Sequence, residues 1–319
     1  MKPAPFDYVD PRTVDEALDH LSRHGDEAKV LAGGQSLAPM LNFRLARPAV
    51  LVDINRVAGL DGVTESSGAL RVGALVRQRQ LERTLDRRFP LLTAGLGLVG
   101  HTAIRVRGTV GGSIAHADPA AELPALLACY DGVVVTRGRR GERSIAAAEF
   151  FLGPLMTALA ADELLVETRW PVPTPGTGWG LHEVARRHGD FALVGAAALV
   201  TLSDGKVARA RVAVFGCGAT PTLAAVEAAL AGCAPTTALI DEAARTAASA
   251  LSASPSTAAR IRGRSSPGRR WPTSSATTST SPAPTSAAST ACAAPARCCS
   301  TASRCEAACS SRSSSTARC

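Results

Sequence analysis

A chain of 319 residues is long enough for two or three domains, and its charge is unevenly placed. Residues 1–251 hold 26 Lys and Arg against 26 Asp and Glu, whereas residues 252–319 hold nine Arg, no Lys and one acid, Glu306. The net +8 therefore belongs to the tail, and a body without net charge exerts no general pull on nucleic acid. No apolar run is long enough to span a bilayer, and Met1-Lys-Pro-Ala-Pro5 lacks the apolar stretch of a secretory signal. The expectation is a cytoplasmic protein.

Residues 1–57 read as a small βαβ unit. Thr13 is placed to cap a helix whose Val14, Ala17, Leu18 and Leu21 share one face. His20 and His24 are four apart on it, a spacing compatible with a metal, but no third ligand is near and an exposed face is the expected reading. Val30–Ala32 is a short apolar strand that opens into Gly33-Gly34-Gln35-Ser36. Val50–Ile54 is a second one. Continuous apolar runs of this kind suit parallel strands buried on both sides.

Residues 58–175 read as a larger α+β unit, with a strand from Ala69 and a helix over Val76–Leu85. Gly95-Leu-Gly-Leu-Val-Gly100 matches the dinucleotide fingerprint G-x-G-x-x-G, yet the residues before it, Phe89-Pro-Leu-Leu-Thr-Ala94, contain Pro90 and make no β-branched strand. A dinucleotide turn is therefore not expected there. The stretch Arg107-Gly-Thr-Val-Gly-Gly-Ser-Ile-Ala-His-Ala-Asp-Pro-Ala-Ala-Glu122 is more promising. Gly108, Gly111 and Gly112 suggest an open loop whose amides converge on an anion, with Thr109 and Ser113 adding hydroxyls. Asp118 and Pro119 are expected to cap and start a helix over Ala120–Cys129. Two glycine loops, each with a hydroxyl, could close on the two phosphates of one dinucleotide.

Val133–Thr136 and Glu163–Trp170 read as strands, and Pro171-Val-Pro-Thr-Pro175 as a linker. From residue 176 an antiparallel meander is expected: a strand over 183–194, then Ala196–Leu202 and Arg209–Phe215, with a tight turn at Ser203-Asp-Gly-Lys206. Helices over Pro221–Leu230 and Ala238–Leu251 follow. Beyond Leu251, Ile261 is the sole Ile, Leu or Val, and six of the nine cysteines fall in a Ser/Thr/Ala/Pro/Arg background with no histidine. Such a segment has too little apolar surface to offset the entropy of ordering. It is expected to be a disordered tail, 252–319, read out of frame from about Leu251–Pro255.

The segments "AGGQSLAPMLNFRLARPAVLVDINRV", "IRVRGTVGGSIAHADPAAELPALLA", "ELLVETRWP" and "ARRHGDFALVGAAALV" together resemble the FAD-binding, or medium, subunit of the molybdenum hydroxylases. That family includes the carbon monoxide dehydrogenase medium subunit and the xanthine dehydrogenase flavin domain. The resemblance covers most of the first 230 residues in the family's order. It implies an α+β fold: a two-part FAD-binding module (1–57 and 58–175) followed by an antiparallel-sheet domain (176–251), incomplete or out of frame after about residue 251. It also implies FAD held without a covalent bond. Ala32, Gly33, Gly34, Gln35, Ser36 and Leu37, with Thr109, Gly111, Gly112 and Ser113, would surround the pyrophosphate. Glu122 would lie near the adenosine ribose, and Leu165 or Val166 near the flavin. Arg186, Asp190 and Phe191 are on the stretch that resembles the isoalloxazine side.

The side-chain inventory agrees with a cofactor-borne reaction. The body has no defensible Ser-His-Asp order, no metal constellation, and three scattered cysteines, Cys129, Cys217 and Cys233, expected to be buried. By resemblance, electrons come from a molybdopterin centre in a large partner subunit through two 2Fe–2S clusters of a small one, in a heterotrimer or its dimer. The alternative is a stand-alone flavin oxidase of the vanillyl-alcohol-oxidase type, which the short third region disfavours.

Overall fold

A computed structural model describes residues 2–253, apart from 86, 222 and 223. The tail expectation for 252–319 lies, but for its first two residues, outside that range. The first unit comprises β1 (Asp7–Val9), α1 (Val14–His24), β2 (Ala28–Leu31), α2 (Leu37–Asn42) and β3 (Val50–Asp53). Its sheet has the order β1-β3-β2 and both pairings are parallel, with Val52 opposite Val9 on one side and Val30 on the other. Thr13 caps α1 by accepting the Glu16 amide at 3.2 Å, and Glu16 reaches back to the Arg12 amide at 2.7 Å. The stripe Ala17, Leu18 and Leu21 is buried against Val50, Val52 and Ile54, as the helical spacing requires.

The second unit runs β4 (Val63–Ser66), β5 (Ala69–Gly73), α3 (Gln78–Thr84), α4 (Pro90–Leu98), α5 (Thr102–Arg107), α6 (Val110–His116) and α7 (Glu122–Cys129). It continues with β6 (Val133–Gly138), β7 (Gly141–Ala146), α8 (Ala147–Phe150), the hairpin β8 (Phe151–Gly153) and β9 (Met156–Thr157), and β10 (Leu164–Pro171). A five-stranded antiparallel sheet, β4-β5-β10-β6-β7, carries this unit. All eight residues of α7 are buried, so it is the central helix of the main core rather than a surface helix. The first four residues of the G-x-G-x-x-G stretch lie in α4: a side chain at Gly95 would run into Leu126 of α7, so that glycine serves helix packing.

Two expectations about local structure change. Val110–His116 is a helix, not an open loop, and Gly108, Gly111 and Gly112 all lack positive φ. Ala117 (φ 50°) ends that helix in the left-handed region, and the chain needs a turn before the next one. Asp118 therefore caps this turn, accepting the Ala120 amide at 2.8 Å, and α7 begins at Glu122 instead of Pro119.

The third sheet is the expected antiparallel meander, β11 (Thr177–Val184), β12 (Val194–Ser203) and β13 (Lys206–Phe215). Asp204 (φ 51°) and Gly205 (φ 72°) form its two-residue turn. The stretch 183–194 is not one strand: residues 185–193 form the connection between β11 and β12. Helices α9 (Ala224–Leu230) and α10 (Thr237–Ala253) follow. Arg211 of β13 pairs with both Asp131 and Glu227, and the Gly216 amide donates to Pro119 at 2.7 Å, tying this sheet to the α6–α7 region.

Cys129 is buried as expected, but Cys217 is half-buried and Cys233 exposed. The last two lie beyond the sheet, where less of the chain covers them. Among the described residues no three His, Cys, Asp or Glu side chains converge on a metal position, and no helix is long and apolar enough to cross a membrane.

Candidate flavin site

The two glycine segments touch. A Cβ on Gly33 would stand 2.6 Å from the Arg107 carbonyl oxygen, 2.8 Å from the Gly108 Cα and 3.0 Å from the Thr109 nitrogen. Only glycine permits that approach. Gly34 next to it has φ 73°, a conformation side-chain-bearing residues adopt at a cost of about 1–2 kcal/mol. Gln35 folds back to donate to the Gly33 carbonyl at 3.0 Å, while the Gly34 carbonyl accepts the Ala38 amide at 3.0 Å and leads into α2. Ser36 precedes Leu37 at the start of this helix and makes no side-chain capping bond.

On the facing segment, Thr109 is 2 % exposed and caps α6 by accepting the Gly112 amide at 3.1 Å. Gly111 is buried: its Cβ would fall 2.6 Å from the Ala74 Cα. A Cβ on Gly112 would lie 2.6 Å from the Thr109 hydroxyl and 3.8 Å from the Ala32 Cβ. Gly112 and Ser113 are half-buried, as are Ala32, Gly33, Gly34, Gln35, Ser36 and Leu37. Residues 32–37 and 109–113 thus form one partly open cradle with little side-chain bulk at its centre.

Val166 joins the cradle through the backbone. The β10–β6 register shifts between Leu165 and Glu167, a bulge at Val166. Its carbonyl accepts the Ala74 amide at 2.9 Å, and the Ala74 carbonyl accepts the Gly111 amide at 3.0 Å. Leu165 is 3 % exposed and belongs to the main core, whereas Val166 packs against the core of the first unit.

Glu122 is 4 % exposed, so its side chain is buried at the start of α7. Burial pushes its carboxyl up to about 7 from the ordinary 4.5; its own amide opposes that, Glu183 and Asp118 add to it, and Arg105 pulls down. Glu122 stands at the first position of α7, where its own backbone amide bonds the carboxyl. Arg186, Asp190 and Phe191 are on the β11–β12 connection, with Phe191 59 % exposed. The structure also brings in two residues that the sequence did not single out. Arg77 and Asn55 bridge the two glycine segments, and nothing in their local sequence marks them.

Residues 4–173 match the FAD binding domain in molybdopterin dehydrogenase, and 179–262 match the CO dehydrogenase flavoprotein C-terminal domain. The chain belongs to this FAD-binding family. It is 45% identical over 223 residues to the 6-hydroxypseudooxynicotine dehydrogenase complex subunit alpha of Paenarthrobacter nicotinovorans, covering 69% of this chain and 75% of the relative. It is 45% identical over 224 residues to the caffeine dehydrogenase subunit beta of a Pseudomonas species, covering 69% and 76%. Carbon monoxide dehydrogenase from Hydrogenophaga pseudoflava superposes with a TM-score of 0.76 at 39% identity, over 78% of this chain and 88% of that one. This flavoprotein is accordingly a medium-subunit homologue of the molybdenum hydroxylases, with FAD as its cofactor and oxidoreduction as its reaction class. The residues present fit that cofactor: two glycine segments in backbone contact at Gly33, half-buried residues 32–37 and 112–113 beside that contact, and a buried carboxyl at Glu122.

Proposed function

We propose that this flavoprotein relays electrons from a molybdenum hydroxylase to an external acceptor, holding FAD without a covalent bond across its two glycine segments. The single observation that carries the site is the contact at Gly33, where two segments 75 residues apart in sequence meet without side chains between them. Backbone groups of Ala32, Gly33, Gly34, Gln35, Ser36 and Leu37 on one side, and of Thr109, Gly111, Gly112 and Ser113 on the other, surround the pyrophosphate. Glu122 would accept from an adenosine ribose hydroxyl. Leu165 or Val166 would pack near the flavin, with the bulge at Val166 hydrogen-bonded through Ala74 to Gly111. When bound, FAD would supply the electron chemistry. The protein's part is to bind, orient and shield it.

The substrate is oxidised elsewhere, at a molybdopterin centre of a large subunit, and a small subunit with 2Fe–2S clusters delivers the electrons. Relatives named as subunits of dehydrogenases support this reading. The assembly is a heterotrimer or its dimer, in the cytoplasm, built on units 1–57, 58–175 and 176–251. Co-expression with large and small subunits encoded nearby should yield one complex on size exclusion, with FAD and iron in the same peak. A flavin-loaded monomer that oxidises an organic substrate unaided would contradict it.

A further inference from the structure

Arg77 lies between β5 and α3, outside both glycine segments, yet it is bonded to the approaches of both. One guanidinium nitrogen donates to the Arg107 carbonyl at 2.6 Å and another to the Asn55 Oδ1 at 2.7 Å. The Asn55 side-chain amide donates in turn to the Ala32 carbonyl at 2.8 Å and to the Asp53 Oδ1 at 2.6 Å. Asp53 also accepts the Asn55 backbone amide at 2.9 Å, which orients the asparagine. The result is a relay from the Ala32 carbonyl through Asn55 and Arg77 to the Arg107 carbonyl. Ala32 immediately precedes Gly33, and Arg107 immediately precedes Gly108.

The backbone around Arg77 is fixed as well. Arg77 forms a bridge with Thr109, the Gln78 amide donates to the Gly108 carbonyl at 2.9 Å, and the Val110 amide donates to the Val76 carbonyl at 3.0 Å. Arg77 is therefore anchored by its main chain on the second glycine segment and reaches with its side chain towards the first. Its hydrogen-bond acceptors are neutral oxygens rather than carboxylates. Burial and the neighbouring Arg107 hold its guanidinium below the ordinary value, and the Asp53 carboxylate offsets only part of that.

We propose that Arg77, acting through Asn55, is a positioning residue for FAD: it locks the two glycine segments against each other before the cofactor arrives. This rests on the flavin site proposed above. A cradle assembled in advance binds more tightly because the cofactor does not have to order two loose segments. Arginine suits the task because its planar fork reaches two acceptors at once, whereas lysine offers a single point charge.

The test uses the full chain, stripped of flavin and titrated with FAD, with thermal midpoints recorded with and without cofactor. Arg77→Gln should weaken FAD binding about 10–100-fold, and Asn55→Ala should do likewise. The double variant should be no more than about threefold worse than the weaker single one, because both break one relay. Arg77→Lys should recover only part of the loss. The midpoint gain conferred by FAD should shrink in each variant, while flavin-free midpoints change little; a merely structural role would lower both alike. If Arg77→Gln does not fold, Asn55→Ala carries the same test. FAD affinity within twofold of the parent chain, or losses that multiply independently, would overturn the inference while leaving the flavin site intact. A parent chain that takes up no FAD would remove the site and this inference together.

Discussion

Gly33→Ala should empty the flavin site more completely than any other single methyl added to the chain. Its Cβ would stand 2.6 Å from one backbone oxygen and 2.8 Å from a backbone carbon, and neither can swing aside as a side-chain end does. The segments must separate, and the cradle widens at its centre. FAD affinity should fall about a hundredfold or more, roughly 3 kcal/mol. Gly34→Ala should do less: its cost comes from φ 73°, and only the Leu31 side chain lies near, at 3.2 Å. Gly111 is a poor probe, because a Cβ there meets the Ala74 backbone inside the fold and would cost stability as well as cofactor. Flavin fluorescence titration of the two variants checks the order. Equal, parent-like affinity for Gly33→Ala would show that the contact between the segments does not matter to FAD.

Glu122→Gln should act in opposite directions without and with cofactor. Below pH 4.5 the carboxyl is protonated in both folded and unfolded chains and costs nothing. Between 4.5 and about 7 the unfolded chain ionises while the folded one keeps its proton, so stability falls as pH rises. Above about 7 the penalty levels off near 3 kcal/mol, an order-of-magnitude figure from the size of the shift. Glutamine escapes it. The flavin-free variant should therefore melt several degrees above the parent at pH 8, about 2–4 °C per kcal/mol for a chain this size, and level with it at pH 4.5. With FAD present, the variant loses a charge-assisted bond to the ribose and should bind about tenfold more weakly. Calorimetry across pH, paired with FAD titration, reads both signs. A flavin-free variant less stable than its parent at pH 8 would mean that another group satisfies the carboxylate.

The first glycine segment was legible because the residues around it obey local rules. Short apolar strands flank Gly33 and Gly34, and a capped, amphipathic α1 precedes them, so strand, loop and parallel pairing all follow from pattern. The absence of a dinucleotide turn at Gly95–Gly100 was legible for a negative reason: Pro90 disfavours the preceding strand that such a turn requires, and in the structure it starts α4 instead. The second segment misled because Gly111 and Gly112 are poor helix formers. Their helix exists through the Thr109 cap and the close seat on Ala74, both invisible without the fold. Strand β7 was missed because only Ile145 among its residues is buried, which leaves no apolar alternation to read. The connection 185–193 reads as strand because Phe191 and Leu193 look strand-like, yet both are exposed. Arg77 is one arginine among many, and its role depends on residues 22 and 30 positions away.

The central claim is that one pyrophosphate lies between residues 32–37 and 109–113. A structure of the FAD-loaded chain, alone or within its complex, measures this directly. The account predicts the two phosphates within hydrogen-bonding distance of backbone groups from both segments, with Glu122 at the ribose. Phosphates held by one segment alone, or a flavin bound elsewhere on the chain, would contradict it.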